Sequence, residues 1–240
     1  FGICLETNKF SIVMEYLPKG SLCQFFKHEE FLPWPIRYRI ALDIAQGIEH
    51  LHKHQLIHCN LKSSNILLYA DYKVKICDFY TNKIKSKILD ENAIFSKDIL
   101  IWTAPEVLKK NIYTTQSDMY SYSVILWSLA TQSIPFENLN IMQIFDKLNK
   151  EEREIIPDKI PITFNQLIQD CWQQEPIKRL SAVQVAEKLK SEIEQKNVLN
   201  YSEEKPFLFW SNPPNSSLSS SLFSDLEYSK NEFAKATNQN

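Results

Sequence analysis

The sequence predicts an α+β protein that is mainly helical, with a small amount of sheet near its N-terminus. Two short apolar runs, 1–5 and 10–16, are separated by a polar turn, which is typical of a strand pair. From Trp34 to Leu51, isoleucines recur at helical spacing. Residues 118–127 are apolar on all faces, which a helix tolerates only when it is buried. We therefore expect several helices packed around one buried helix.

The composition is that of an ordinary globular protein, with 44% hydrophobic and 23% charged residues among 240. A net charge of −2 gives no reason to expect nucleic acid or anionic membrane as a partner. The longest apolar run, 124–130, is far shorter than the roughly 20 residues of a membrane span. The opening residues show no signal-peptide pattern. Five scattered cysteines fit reduced thiols in the cytoplasm better than disulfides or a zinc site.

The stretch His-Cys-Asn-Leu-Lys-Ser-Ser-Asn-Ile-Leu-Leu, residues 58–68, is a polar loop between a long helical pattern and a short apolar strand. Residues 74–79 predict a second strand that ends in a carboxylate. Asn65 lies at the edge of the first strand and Asp78 at the end of the second. An amide oxygen and a carboxylate oxygen suit Mg²⁺, which usually shares such ligands with phosphate. The pair is therefore a candidate metal site.

Both segments resemble the catalytic loop and the metal-binding strand of eukaryotic-type protein kinases, His-Arg-Asp-Leu-x-x-x-Asn followed by Asp-Phe-Gly. The chain retains five of these residues: His58, Leu61, Asn65, Asp78 and Phe79. It differs at three positions: Cys59, Asn60 and Tyr80. The residues around Lys62, Leu-Lys-Ser-Ser-Asn at 61–65, are similar to those of serine/threonine kinases of the tyrosine-kinase-like group. The resemblance implies a protein-kinase-like fold, with a helical large lobe and a remnant of the small-lobe sheet.

Further kinase motifs follow in family order up to about residue 194. They are the Trp-Thr-Ala-Pro-Glu stretch that ends at Glu106, the buried helix led by Asp118, and the Cys-Trp…Pro…Arg segment that ends at Arg179. The resemblance implies that Asp118 holds the backbone of the catalytic loop and that Arg179 pairs with Glu106. The alternative for Arg179 is a surface arginine. We expect a partial kinase-like domain over 1–196 and a disordered tail rich in Ser and Asn over 197–240.

The resemblance also implies a nucleotide site that takes ATP and Mg²⁺. Met14 would lie at the back of the pocket, the backbone of Glu15 and Leu17 would face the adenine edge, and Leu67 would form the floor. Asn65 and Asp78 would hold the metal. Residues 15–22 resemble the kinase hinge, the segment that runs into a short helix. Considered without the downstream motifs, this segment fits a buried hairpin edge equally well.

Histidines and tail residues carry weaker signals. His50, His52 and His54 end a helix that we expect to be exposed, with no carboxylate or thiolate at ligand spacing, so a metal role is not favoured. By resemblance, His58 is a packing residue beneath Phe79. In the tail, residues 207–210 (Phe-Leu-Phe-Trp) are either a docking patch or an incidental apolar cluster.

The three departures bear on activity. In active kinases the residue at position 60 is an Asp that accepts the substrate's hydroxyl proton, and the neutral amide of Asn60 is not basic enough to do so. Lys62 remains to neutralise the transferred phosphate. Cys59 replaces the arginine that grips a phosphorylated activation loop, expected here at 80–97, so that mode of control is doubtful. Tyr80 replaces a glycine, and its Cβ should make Asp78 less mobile.

The chain has only three glycines, none of them clustered, so it contains no glycine-rich phosphate loop. The sequence also lacks two other parts of the kinase small lobe: the strand whose lysine pairs with the nucleotide phosphates, and the partner helix that carries a glutamate. Because the sequence does not begin with Met, we expect it to start inside a longer product. With only the hinge, Leu67 and a metal site, ATP should bind weakly.

Three functions remain open. The leading interpretation is a pseudokinase-like domain with impaired phosphotransfer that signals through a protein partner. The competing one is an active serine/threonine kinase that tolerates Asn60, acts on protein hydroxyls and has its small lobe encoded upstream. The third is a scaffold that binds no nucleotide, in which Asn65 and Asp78 are residual polar core groups.

Overall fold

Two antiparallel strands open the described chain, β1 (Gly2–Glu6) and β2 (Lys9–Val13), with Gly2 opposite Val13. The computed structural model describes residues 2–6, 9–27, 31–79 and 96–195. The two predicted strands are therefore confirmed. The second ends at Val13, three residues earlier than expected. Residues 14–20 then run to α1 (Leu22–Lys27).

Helices dominate the rest of the described chain, as the periodicity predicts. They are α2 (Trp34–Lys53), α3 (Lys97–Leu100), α4 (Pro105–Lys110), α5 (Thr115–Thr131), α6 (Ile141–Asn149), α7 (Ile162–Cys171) and α8 (Ala182–Gln195). The predicted capping box of α8 is present, since Ser181 N donates to Gln184 Oε1 at 2.9 Å and Gln184 N to Ser181 Oγ at 3.3 Å. Lys97 belongs to α3 and not to an irregular loop.

The core surrounds α5, which is buried on every face from Ser117 to Ala130. It packs against α2 and α7, while α2 also packs along α8. Tyr122 is fully buried and donates from its hydroxyl to Ala41 O at 2.9 Å, which joins α5 to α2. Protein, and not lipid, therefore covers α5. None of the described helices is long and apolar enough to cross a membrane.

A buried arginine closes the C-terminal end of α5. Arg37 donates from Nε to Leu32 O at 2.6 Å, and from Nη1 to Leu129 O at 3.0 Å and Ala130 O at 2.6 Å. It also bonds to Gln132 Oε1. Burial lowers the pKa of Arg37 to about 10, so the guanidinium is still charged at neutral pH. The carbonyl groups left over at a helix C-terminus favour such a cation.

A second strand pair carries the candidate site. β3 (Ile66–Leu68) pairs antiparallel with β4 (Val74–Ile76), with Ile66 opposite Ile76, and the 3₁₀ turn Ser63–Asn65 precedes it. This confirms the predicted strand–turn–strand. Gly47 of α2 leaves room for the side chain of Ile76 on β4, since a Cβ there would lie 2.7 Å from Ile76 Cδ1.

Several predictions concern residues outside the described ranges. They are Tyr80, residues 80–95 of the expected activation loop, and the tail from 197 onward with its Phe-Leu-Phe-Trp stretch at 207–210. These stay predictions.

Candidate functional site

The loop that follows α2 is held by the carboxylate of Asp118, on the first turn of α5. Asp118 Oδ2 accepts a hydrogen bond from His58 N at 2.8 Å, and Oδ1 accepts one from Cys59 N at 3.0 Å. Asp118 is only 2% exposed. The predicted role of Asp118 in holding the loop backbone is confirmed. The bond also fixes Cys59 at a φ of +65°, a left-handed conformation that costs energy in a residue with a Cβ.

His52 also contacts Asp118, a pair that the sequence motifs did not reveal. Its Nε2 lies 2.9 Å from Asp118 Oδ2, and its side chain is 13% exposed. A carboxylate therefore lies beside His52 in space, although none stands at ligand spacing in the sequence. The two residues are 66 positions apart, so no local spacing could reveal the pair. Asp118 is thus surrounded by two backbone amides and one imidazole.

His58 is fully buried, as expected of a packing residue. Burial lowers the pKa of its imidazole, which keeps the ring neutral at physiological pH. Asn60 N donates to His58 Nδ1 at 3.2 Å, so the ring supports the loop from inside. Phe79, beneath which the family resemblance places His58, is 54% exposed.

The structure brings Asn60, Asn65 and Asp78 together. Asn65 Nδ2 donates to Asn60 O at 2.8 Å, and Asn60 Nδ2 donates to Asp78 O at 3.4 Å. The second bond needs an N–H at position 60. A carboxylate there would place oxygen against oxygen, because ionised Asp only accepts hydrogen bonds. Asn60 therefore fits this arrangement as a donor.

Asn65 and Asp78 form a donor set that fits Mg²⁺. Asn65 is 4% exposed, and because its Nδ2 is engaged with Asn60 O, its Oδ1 is the atom left to face a cation. Asp78 is exposed, at a φ of +58°, immediately after the strand pair. One amide oxygen and one carboxylate oxygen, with phosphate and water completing the shell, match the usual ligands of Mg²⁺.

The hinge segment is tied to the second strand pair through Glu15. Its carboxylate accepts hydrogen bonds from Tyr69 Oη at 2.5 Å and from Lys75 Nζ at 2.6 Å. The bond from Lys75, and then that from Tyr69, lowers the pKa of the Glu15 carboxyl. Met14 is 49% exposed, whereas Leu17 is buried. The Glu15 side chain thus points into a polar cluster, which leaves its backbone for the predicted adenine contact.

Leu67 lies on the strand that runs beside the hinge. Lys19 N donates to Leu68 O at 3.3 Å and Leu68 N to Gly20 O at 2.9 Å, while Ser21 forms a bridge with Leu67. Leu67 itself is half-buried. The predicted hinge and floor residues therefore belong to neighbouring segments, and their contact with a nucleotide remains a prediction.

Lys62 is paired in a way that the sequence analysis did not anticipate. Its Nζ contacts Asp98 Oδ2 on α3. Lys62 was expected to remain available for phosphate, but in this structure a carboxylate of the same chain contacts it. The motif gives no signal of this pair, since position 98 lies outside the catalytic loop.

The predicted pair between Glu106 and Arg179 is confirmed. Arg179 Nη1 lies 2.6 Å from Glu106 Oε1 and Nη2 lies 2.8 Å from Oε2, a two-point contact. The side chain of Arg179 is 0% exposed and that of Glu106 is 17% exposed. This excludes the alternative of a surface arginine. The pair joins α4 to the segment before α8.

The family model for protein tyrosine and serine/threonine kinases matches residues 1–189. The chain belongs to the protein kinase family. The loop 58–65, the strand pair β3–β4 and the Glu106–Arg179 pair are thus parts of a kinase-like large lobe, and the strand pair β1–β2 is the remnant of a small lobe. The predicted kinase-like α+β fold is confirmed.

Curated kinases from several organisms are similar to this chain. It is 34% identical over 195 residues to the probable serine/threonine-protein kinase drkC of Dictyostelium discoideum, a match that covers 79% of the chain. It is 33% identical over 179 residues to the serine/threonine/tyrosine-protein kinase HT1 of Arabidopsis thaliana, which covers 73%. The matches span only 26% and 45% of those two proteins.

Cys77, next to Asp78, allows a prediction about thiol reactivity. Burial, and then the charge of Asp78, raises the pKa of the Cys77 thiol from 9.0 to about 11. Only the thiolate reacts, so alkylation of Cys77 at pH 7.5 should be about 100-fold slower than that of an ordinary thiol. The rate should keep rising with pH up to about 11. Iodoacetamide labelling followed by peptide mass spectrometry measures this, with urea-unfolded protein as the control. Equal rates in folded and unfolded protein would contradict it.

Proposed function

We propose that this kinase-family domain has impaired phosphotransfer and acts in cytoplasmic signalling through a protein partner, as pseudokinases do. The observation that carries the proposal is Asn60 at the position of the catalytic base. Its amide has no basicity near neutral pH, and its Nδ2 donates to Asp78 O. The amide oxygen can accept a hydrogen bond from a substrate hydroxyl, but it is not basic enough to take up the proton.

The chemistry left to this chain is positioning and charge stabilisation. Bound ATP with Mg²⁺ would supply the phosphoryl group. Asn65 and Asp78 would hold the metal, and Asn60 could orient a hydroxyl but not deprotonate it. Losing a general base costs about 10²–10⁴-fold in rate. Because phosphoryl transfer depends mostly on positioning, residual activity is compatible with the proposal.

Nucleotide binding should be weak in this chain. Hinge backbone, Leu67 and the Asn65–Asp78 pair are the contacts available, and the sequence has no glycine-rich loop for the phosphates. The described cysteine side chains are free thiols, which supports a reducing compartment. A protein partner follows from the kinase family, whose members act on protein substrates.

The test is ATP-dependent phosphorylation of a generic protein substrate by the longest natural product that contains this chain. We expect the native protein to phosphorylate the substrate at a rate at least about 10²-fold below that of an ordinary kinase. In Asp78→Ala we expect this residual activity to be lost. Phosphotransfer at an ordinary rate that Asp78→Ala abolishes would overturn the proposal. A thermal shift with ATP and Mg²⁺ adds a second readout: a small shift lost in Asp78→Ala is expected, and no shift at all would favour a scaffold that binds no nucleotide.

An active serine/threonine kinase is the second candidate. Two observations favour it: the curated relatives are named as a probable serine/threonine kinase and a serine/threonine/tyrosine kinase, and the Asn65–Asp78 pair and the Glu106–Arg179 contact are intact. This candidate requires a glycine-rich loop and a lysine strand encoded directly upstream of Phe1. Reading the complete gene tests that requirement, and a reading frame without these elements would exclude it.

A further inference from the structure

Lys62 is unusually shielded for a lysine in an ion pair. Its side chain is 16% exposed, while that of its partner Asp98 is 64% exposed. In the other lysine–carboxylate pairs between described residues, the lysine side chain is 40–72% exposed. Those pairs lie on the surface, where both charges remain hydrated. The side chain of Lys62 is instead mostly covered by protein, and the carboxylate that it meets is that of Asp98.

The segment that presents Asp98 is firmly attached to the large lobe. Lys97 Nζ donates to Glu137 O at 2.7 Å, and Thr103 Oγ1 donates to Ile99 O at 2.7 Å. Leu100 is 1% exposed and Ile101 is 4% exposed, so both anchor the end of α3 in the core. Asp98 therefore approaches Lys62 from a fixed support and not from a freely moving loop.

Little space remains between this segment and the catalytic loop. The cavity between them is about 20 Å³, and its lining includes Asn60 and Lys62 on one side and Ile99, Trp102 and Thr103 on the other. A volume of that size holds about one water molecule. The enclosed part of this cavity therefore has no room for a phosphate group while α3 keeps this position.

We propose that the Asp98 carboxylate occupies the position beside the Lys62 ammonium that a phosphate group would take. It thereby restricts the access of anions to the catalytic loop. This proposal rests on the proposed kinase-type site, in which the family resemblance makes Lys62 the phosphate-facing residue, and it adds a built-in regulatory contact. Carboxylate and phosphate oxygens compete for the same ammonium, which can donate three hydrogen bonds but gains most from one nearby negative charge. Neutralising Asp98 should therefore release Lys62 for an anion.

The experiment compares the native full chain with Asp98→Asn by acylation of lysine amines, quantified for the Lys62 peptide by mass spectrometry. We expect Lys62 to react about 2–5-fold faster in Asp98→Asn, the range set by removing one partly exposed ion pair. Inorganic triphosphate, which lacks an adenine, should protect Lys62 at lower concentration in the variant than in the native chain. Asp98 is exposed, so the variant should fold, and circular dichroism checks this.

Asp146→Asn is the matched control, because Asp146 pairs with Lys150 at 2.7 Å on the surface and both side chains are 61% exposed. It should leave the Lys62 rate unchanged. Equal Lys62 rates in the native chain and Asp98→Asn, or no protection by triphosphate in Asp98→Asn, would overturn the inference. Labelling requires no phosphotransfer. If Lys62 labelling is the same in both proteins, the proposed impaired catalysis therefore still stands. If the protein is an active kinase and Lys62 reacts faster in Asp98→Asn, only the proposed function is overturned.

Discussion

Replacing Arg179 with methionine should lower the free energy of unfolding by about 3–5 kcal/mol, the usual cost of removing one partner from a buried ion pair. The change leaves the Glu106 carboxylate, which is 17% exposed, without its guanidinium. It also removes donors from three carbonyl groups, those of Gln173 at 2.7 Å, Gln116 at 2.9 Å and Gln174 at 3.2 Å. Methionine fills much of the volume, so lost pairing and not a cavity should dominate the effect.

Urea unfolding followed by far-UV circular dichroism measures this difference. Lys178→Met is the matched control, because the neighbouring Lys178 pairs with Glu175 at 2.9 Å and both side chains are about 60% exposed. The control should change the free energy of unfolding by less than about 0.5 kcal/mol. If Arg179→Met and Lys178→Met are equally stable, the Glu106–Arg179 pair does not stabilise the lobe in the way we describe.

Replacing Asp118 with alanine should destabilise the protein by about 2–4 kcal/mol, because it leaves two buried backbone N–H groups without an acceptor. Those groups belong to His58 and Cys59, which now donate to Asp118 at 2.8 and 3.0 Å. The strained backbone of Cys59 would also lose the bond that holds it at positive φ. His52 loses its partner as well, although its partial exposure lets water replace the carboxylate.

Hydrogen exchange locates this effect in the loop. In Asp118→Ala, the amides of His58 and Cys59 should exchange faster than in the native chain by more than the global loss of stability explains. Asp71→Ala is a suitable control, since Asp71 is a surface carboxylate 2.9 Å from Lys73 with a side chain that is 55% exposed. Unchanged protection of both amides in Asp118→Ala would show that the loop holds its shape without the carboxylate.

Motifs allowed much of this site to be predicted from the sequence. Glu106 and Arg179 each lie in a recognisable segment, so their pairing followed from the family pattern although 73 positions separate them. Asn65 and Asp78 flank two short strands, and antiparallel pairing necessarily brings such flanks together. Apolar residues on all faces of α5 predicted its burial, because no water-exposed helix has that pattern.

Contacts outside the motifs could not be predicted. Arg37 closes the end of α5 through carbonyl groups more than 90 positions away, and a carbonyl group carries no sequence signature. His52 lies on the face of α2 that meets Asp118, and only the packing of α2 against α5 decides that meeting.

The amino-acid sequence was sufficient for the kinase fold, for the absence of a basic group at Asn60 and for the proximity of Asn65 and Asp78, because each depends on residue types at a known spacing. The tertiary structure alone decided that Asn60 donates to Asp78 O and that Asp98 faces Lys62. Both contacts depend on how separate segments pack, and the direction of a side chain at a packed surface follows from the neighbours it meets and not from its place in the chain.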